Sequence, residues 1–521
     1  MYSTNLALQL AKLDNRSGKQ SPEDFASKIL EKFGSPDYLE KAESAGGGFI
    51  NFFLKDEALL ESGSLEKTEK PLKILVEYGH TNPLKEVHIG HLRTFILGES
   101  LVRILEGVGN TLYRANYQGD IGLHIAKAIW GIKKLGLPTK ELSLEEKAKY
   151  MGQAYAQGNK AYEDDSQSRE EIDRINVALY KNDPEFKKVY ELVREWSLDY
   201  FEPIYKLLGI KYDRCFFESE VYKRGKEIVL ANVGSPAEAG KVFKESDGAI
   251  IFPGEKFGLH NRVFITSAGN PTYEGKEMGL AELEYATFKY DKAIHVVAHE
   301  QAGYFQVVFK AIEMIFPNLR GKKYHLSYGL VDLKEGKMSS RTGRVITVDN
   351  LLKVVSEKVR KIMKTNEGEN VVRQIALGAI KFSYLKFSPA PNMVFDLEES
   401  VSLDGDSGPY VQYTYARIQS VLRNAGKGID EGEAVLEKQE RALLRQLMYF
   451  PEIVLEVASS LHPHLLASYL IELSKLYNLF YQQCRIIGSE KAEFRIKLSS
   501  EVGEVLKKGL YLLGIEAPEK M

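Results

Sequence analysis

His88, Ile89, Gly90 and His91 stand where a short apolar run, residues 73–78, and a loop containing Gly, Asn and Pro give way to a helical pattern. The carboxyl end of a parallel strand and the start of the next helix are where α/β sheets place ligands. The first helical N–H groups have no partner inside the helix, and its field favours anions. The two imidazoles share one helix face, and there they can donate to charge building on a phosphate in a transition state. Gly90 has no side chain, so a flat base can approach the backbone. His-x-x-His alone also fits two surface histidines or a metal pair. The metal reading lacks a nearby Cys or carboxylate cluster to complete the ligand set.

A second group follows far downstream. Lys337, Met338, Ser339 and Ser340, then Arg341, lie in a Gly-bracketed polar loop, residues 336–343, after the strand-like segment 328–333. A lysine and two hydroxyls on such a loop can close over phosphates and neutralise them. Alone, the loop also reads as a solvated turn. In this order, flanking one α/β region, the two groups together read as a bipartite ATP-phosphate site. Residues 234–241 and 269–276 imitate a P-loop, but each has five residues between its glycines, and neither Lys241 nor Lys276 is followed by Ser or Thr.

The elements that must hold these groups are partly readable. Strand 73–78, a helix from His88 to near Gly107 and strand 112–117 form a βαβ unit of a parallel sheet. Strand-like segments return at 249–252, 262–265 and 293–298, and these are expected to complete the parallel sheet. Residues 140–240 are charged and helical in pattern, which reads as an insertion. Near the start, helices at 5–13 and 22–33, the second with Ser21 as cap and Pro22 in its first turn, precede a Gly-rich loop and a strand at 49–54. That is a small α+β unit, and residues 61–70 read as its linker. From 346 onward the pattern is helical almost throughout, with a loop at 426–432.

With 521 residues the chain is too long for a single core. Lys plus Arg is 70 and Asp plus Glu is 72, a net charge of −2. Such a balance neither points to nucleic acid nor excludes it, because phosphate contacts are local. Cys215 and Cys484 are too few for a disulfide scaffold or a four-Cys zinc site, and they fit a reducing compartment. No apolar run is long enough to span a bilayer, and the first residues do not read as a secretory signal. Tyr410, Tyr413 and Tyr415 precede Arg417, Arg423 and Lys427. Single-stranded RNA bases suit that interleaving, and so do core tyrosines with a solvated basic edge. Lys353, Lys358, Arg360, Lys361 and Lys364 read as a solvated helix face.

The paired groups resemble the signature pair of class I aminoacyl-tRNA synthetases, and nearly the whole chain resembles arginyl-tRNA synthetases. The resemblance is carried by Val76-Glu77-Tyr78, Asn82-Pro83, His88 to Arg93, Asn116-Tyr117 with Asp120 and Gly122, and Thr272-Tyr273 to Leu280. Further on it is carried by His299-Glu300-Gln301, Gly336 to Arg341, Tyr410 to Tyr413 with Tyr415-Ala416-Arg417, and Leu512 to Ile515. Thr4 to Ala7 and Gly48 to Asn51 match the family's N-terminal domain. It implies an α/β fold: a parallel-sheet, Rossmann-like catalytic domain over 67–345, with a helical insertion at about 140–245. A small N-terminal α+β domain (1–66) that contacts tRNA and reads as shortened at its start precedes it. A connecting helical region (346–395) and an all-α helical-bundle anticodon-binding domain (396–521) follow.

The implied reaction joins L-arginine to ATP as arginyl-adenylate, then to the 3′ end of tRNA(Arg), by a cytoplasmic monomer that is not membrane-bound. The resemblance assigns His88, His91, Lys337 and Lys85 to the reacting phosphate. Gly90, Met338, Ser339 and Ser340 complete the ATP contacts, and Mg²⁺ arrives with the nucleotide and has no dedicated protein site. Glu77, Tyr273 and Glu277 would face the guanidinium, whose planar donors need fixed acceptors. Asn82 and Gln301 would hold the α-amino end, and Tyr410, Tyr413 and Arg417 would contact tRNA. Three positions depart from the family. Position 277 is Glu where Asp is usual, His80 replaces a small Ser, and Ser340 replaces the second lysine of the class signature. Lys85 matches a lysine of members lacking that second lysine, and would supply its charge.

Overall fold

The computed structural model describes residues 2–14, 20–59, 67–84, 86–234, 241–334, 347–363, 368–425 and 436–521. By compactness the chain divides into two units. One comprises Met1–Glu66, Arg417–Ile453 and Glu472–Leu506, and the other Lys67–Ala416, Val454–Ile471 and Lys507–Met521. Among the described residues no helix is long and apolar enough to cross a membrane.

The larger unit is built on a five-stranded sheet. In chain order its elements are β1 (Lys73–Glu77), α1 (Ile89–Gly107), β2 (Thr111–Gln118), α2 (Leu123–Leu135), α3 (Leu144–Asp164), α4 (Ser166–Tyr180), α5 (Pro184–Leu208), β3 (Arg214–Phe217), α6 (Glu218–Ala231), α7 (Tyr273–Thr287), β4 (Lys292–Ala298), α8 (Ala302–Ile315) and β5 (Lys323–Tyr328). The strand order is β5-β4-β1-β2-β3, and every neighbouring pair is parallel. The order reverses between β1 and β4, so the crevice at their carboxyl ends is the ligand position of such a sheet.

Two expectations are corrected. Segments Ala249–Phe252 and Arg262–Ile265 do not join the parallel sheet. With Lys244–Ser246 they form a separate antiparallel sheet. The physical reason lies in burial: Ala249–Phe252 alternates between buried and half-buried positions, as a one-sided strand does, whereas the middle of β4 is buried continuously. The expected insertion is helical through α3, α4, α5 and α6, but not throughout. β3, inside its assigned range, is the edge strand beside β2. Its four residues are too short a run to stand out against charged surroundings.

α1 is buried along most of its length, and Gly98 marks its tightest contact. A Cβ there would lie 2.3 Å from Cγ of Tyr78. That ring is fully buried and its hydroxyl donates to Glu99 at 2.7 Å. Alanine would gain up to about 1 kcal/mol in helix propensity, but the clash outweighs it. Gly98→Ala is expected to destabilise the unit by about 1–3 kcal/mol, read as a lower denaturant midpoint.

In the smaller unit, strands Tyr2–Thr4, Ile50–Leu54 and Leu39–Ser44 make an antiparallel sheet in that order, with helices Leu6–Leu13 and Pro22–Phe33. Ser21 caps the second helix reciprocally: its Oγ accepts from Asp24 N at 3.1 Å, and Asp24 accepts from Ser21 N at 2.9 Å. Helices Lys438–Met448 and Ala492–Leu512 contribute a buried ion pair, Arg495 to Glu440 at 2.7 Å.

Candidate active site

The loop from β1 to α1 is held by side chains from three directions. Gly79 N donates to Thr94 Oγ1 of α1, and His80 N donates to Asn116 Oδ1 of β2, both at 3.0 Å. Leu84 N donates to Ser197 Oγ of α5 at 2.9 Å. His80 takes φ 49°, a left-handed conformation uncommon for a residue with a side chain. These contacts hold it there.

His88 and His91 form a cap made of imidazoles. His88 Nδ1 accepts from Gly90 N at 3.1 Å, and His91 Nδ1 accepts from His88 N at 3.2 Å. A ring nitrogen accepting a backbone N–H carries no proton, so each neutral ring keeps its proton on Nε2 and is a donor there. The rings lie 3.9 Å apart between centroids. Gly90 has a use the sequence did not suggest: a Cβ would stand 2.9 Å from Cε1 of His88, so a side chain would push that ring out of its cap.

The start of α1 is fastened from helix Glu369–Leu385. Tyr384 OH donates to Ile89 O at 3.0 Å, and the buried Arg93 donates through Nη1 to Tyr384 O at 2.7 Å. Burial pushes the Arg93 guanidinium down to about 10. The chain also returns to this point: Thr347 makes an antiparallel bridge with His88, and Val348 N donates to Val87 O at 3.2 Å. Lys337, Met338, Ser339 and Ser340 lie outside the described residues, as does Lys85. Lys334 pairs with Asp396, and Thr347 bridges His88.

An acidic pocket occupies the β1–β4 crevice. Glu77 ends β1 and is in register with His295 of β4, whose Nδ1 lies 3.2 Å from Glu77 Oε1. Glu277 of α7 accepts from Tyr304 OH at 3.2 Å. Glu77 and Glu277 are 2% and 5% exposed. Each keeps one buried oxygen, Oε2, with no hydrogen-bond partner among the described residues. Buried carboxylate oxygens without donors are costly, and a cation with several N–H groups would satisfy both. Burial, and then the charge of Glu77, hold the Glu277 carboxyl well above its usual range.

Several members of this pocket escaped the sequence reading. Glu284 lies two turns along α7 from Glu277, and it binds Lys323 Nζ at 2.7 Å. Lys323 also donates to His295 Nε2 at 3.3 Å. A histidine within the apolar run of β4, and two glutamates seven apart on one helix, were the available signals. Lys276, set aside with its P-loop imitation, is buried and pairs with Glu218 at 2.6 Å, tying α7 to α6. Asp120 is fully buried and accepts from Ser219 N at 2.8 Å and Arg194 Nε at 2.9 Å.

The other expected residues stand elsewhere. Asn82 Oδ1 accepts from Gly119 N at 3.2 Å. Tyr273 opens α7, 57% exposed, with the Lys276 ammonium 5.1 Å from its ring. Gln301 is exposed at the start of α8. Tyr410 and Tyr413 are half-buried on helix Gly408–Asn424, while Tyr415 is buried and belongs to the core. The Arg417 guanidinium lies over the ring of Tyr481 at 5.0 Å.

Comparison with known proteins bears on this arrangement. The model for the catalytic domain of class I tRNA synthetases (R) matches residues 55–397, the DALR anticodon binding domain matches 411–521, and the arginyl tRNA synthetase N terminal domain matches 2–54. An arginine–tRNA ligase of Parabacteroides distasonis is 32% identical over 97% of this chain and 92% of that protein. One from Flavobacterium psychrophilum is 31% identical over 99% and 90%. Among solved structures, arginyl-tRNA synthetase of Thermus thermophilus superposes with a TM-score of 0.82 at 26% identity, covering 99% of both chains.

Proposed function

The chain belongs to the arginyl-tRNA synthetase family of class I arginine–tRNA ligases, and from that membership we propose how its own residues divide the reaction. A carboxylate oxygen of L-arginine attacks the α-phosphorus of ATP, and the bond to the bridging oxygen breaks, releasing pyrophosphate. The 3′-terminal adenosine hydroxyl of tRNA(Arg) then attacks the arginyl carbonyl carbon, and AMP leaves.

The observation that carries the arginine assignment is the pair of buried carboxylates, Glu77 and Glu277, each with one unpartnered oxygen. A guanidinium has the charge and the planar fork to occupy both. Tyr273 closes on that group, and Asn82 and Gln301 take the α-amino end. His88 and His91 donate through Nε2 to the phosphate, while Gly90 leaves the cap open. Lys337, Met338, Ser339, Ser340 and Lys85 add charge and hydroxyls to the phosphates. Mg²⁺ would come with the nucleotide and neutralise charge on its phosphates. Residues 1–66 and 396–521, the latter with Tyr410, Tyr413 and Arg417, engage the tRNA. The enzyme works as a cytoplasmic monomer.

The test is ATP–pyrophosphate exchange across the amino acids, with and without tRNA(Arg). Exchange should depend on arginine and rise when the tRNA is present. If no arginine-dependent exchange appears with tRNA(Arg) bound, the assignment is wrong.

A further inference from the structure

We infer that His295 is a positioning residue for arginine recognition, held in one tautomer by Lys323 so that its Nδ1–H fixes Glu77 with the other carboxylate oxygen turned to the substrate. The inference rests on the proposed role of Glu77 and adds the support behind it.

The chain of contacts leaves a single proton arrangement. An ammonium can only donate, so Lys323 Nζ, 3.3 Å from His295 Nε2, requires that nitrogen to be an acceptor. The neutral ring then carries its proton on Nδ1, 3.2 Å from Glu77 Oε1. His295 is fully buried, and its ring centroid lies 5.2 Å from that of Phe309 and 5.7 Å from that of Phe305, which restrict its plane. Glu284 holds the other side of Lys323 at 2.7 Å. Burial, and then the nearby Lys323 charge, keep the imidazole well below its ordinary value, so it stays neutral.

The charge balance gives the arrangement a purpose. Ligand atoms of Glu77, Glu284 and His295 lie within 4.8 Å of one another, the spacing of a small-cation cage. Lys323 supplies the cation on the Glu284 side. Glu77 gains from His295 a neutral hydrogen bond but no positive charge. A cation in place of His295 would neutralise Glu77 before arginine arrived. A hydrophobic residue would leave Glu77 Oε1 facing His80 Nδ1 at 3.6 Å, too long for a hydrogen bond, and the carboxylate less firmly oriented.

The experiment measures tRNA-dependent arginine activation with arginine and ATP varied separately. His295→Leu is expected to raise the arginine KM about tenfold or more, the effect of losing a hydrogen bond to a charged group, with kcat and the ATP KM changed less than about threefold. His295→Asn places an amide N–H near the lost Nδ1–H and should recover most of the arginine KM. His295→Gln, whose amide sits nearer Nε2, should not. If His295→Leu does not fold, the Asn and Gln variants carry the same contrast. Lys323→Met should reproduce the KM shift and add little to His295→Leu. Equal losses in all three kinetic constants, or Asn no better than Gln, would overturn the inference. Glu77→Gln separates the two levels. An unchanged arginine KM there removes the pocket assignment itself, and the inference with it. A raised KM in Glu77→Gln, with His295→Leu silent, removes only the His295 role.

Discussion

Replacing His91 with alanine is expected to lower kcat for arginine activation about 100- to 1,000-fold while leaving the KM for ATP nearly unchanged. The reason is where the imidazole proton sits. His91 Nδ1 is occupied by the N–H of His88 at 3.2 Å, so its donor is Nε2. A donor held before the reaction begins is worth most against charge that grows on the phosphate in the transition state, and less against ground-state ATP. The alanine variant also loses a cap, because His88 N no longer has its side-chain acceptor; such a loss costs about 1 kcal/mol of helix stability. His91→Gln separates these effects. Glutamine three residues after the cap can reach back to the same backbone N–H, but it puts no imidazole at the phosphate. It should therefore restore the unfolding midpoint without restoring kcat. Recovery of kcat along with stability would mean that His91 acts through the cap alone, as would a purely KM effect on ATP in the alanine variant.

His88 and His91 could be placed from sequence because their structural support is local. The residues that cap the helix are those proposed to meet the phosphate, and all lie within one turn of chain. The position of Glu77 was legible for a similar reason, as a charged end to an apolar strand, while its proposed role came from the family resemblance. The β1–α1–β2 unit followed from apolar runs and glycine breaks. What sequence could not supply is neighbourhood across the sheet. Glu77 meets His295 only because β4 lies beside β1, a separation of 218 residues in the chain. Lys323 reaches both His295 and Glu284 from β5, beyond the next helix. Nothing local distinguishes it from a solvated lysine. The same limit explains the strand errors: β3 and the antiparallel segments around Ala249–Phe252 differ in partner more than in composition. Tyr415 also shows it. Its spacing from Tyr413 suits a shared aromatic surface, yet an α-helix turns those two positions away from each other, and Tyr415 faces the core.

Glu277→Gln should weaken arginine and steady the empty protein at once. The pocket sets two carboxylates into one buried space, and without substrate each leaves an oxygen unpaired. Burial, followed by the charge of Glu77, raises the Glu277 pKa well above its ordinary value. An acid raised on folding contributes stability below its unfolded value, and that stability is lost as pH rises through the folded value. The arginine-free protein therefore loses stability towards neutral pH, where Glu277 would carry a charge in the unfolded chain. Glutamine removes that charge, so the unfolding midpoint without arginine should hold or rise, by about 1 kcal/mol at neutral pH. The arginine KM should move the other way, rising about 30-fold or more, since a buried guanidinium loses a charged partner. The pH dependence has the opposite sign to that of stability. Arginine needs the ionised carboxylate, so binding releases protons, and the wild-type arginine KM should fall from about pH 6 to about pH 8. In Glu277→Gln that slope should flatten. Glu284, pushed up to about 7 by burial, lies in the same cluster and leaves a residual slope. Steady-state kinetics across that range, paired with denaturation without arginine, measure both effects. A variant that loses stability and arginine affinity together would place Glu277 in the packing of α7 and not against the substrate.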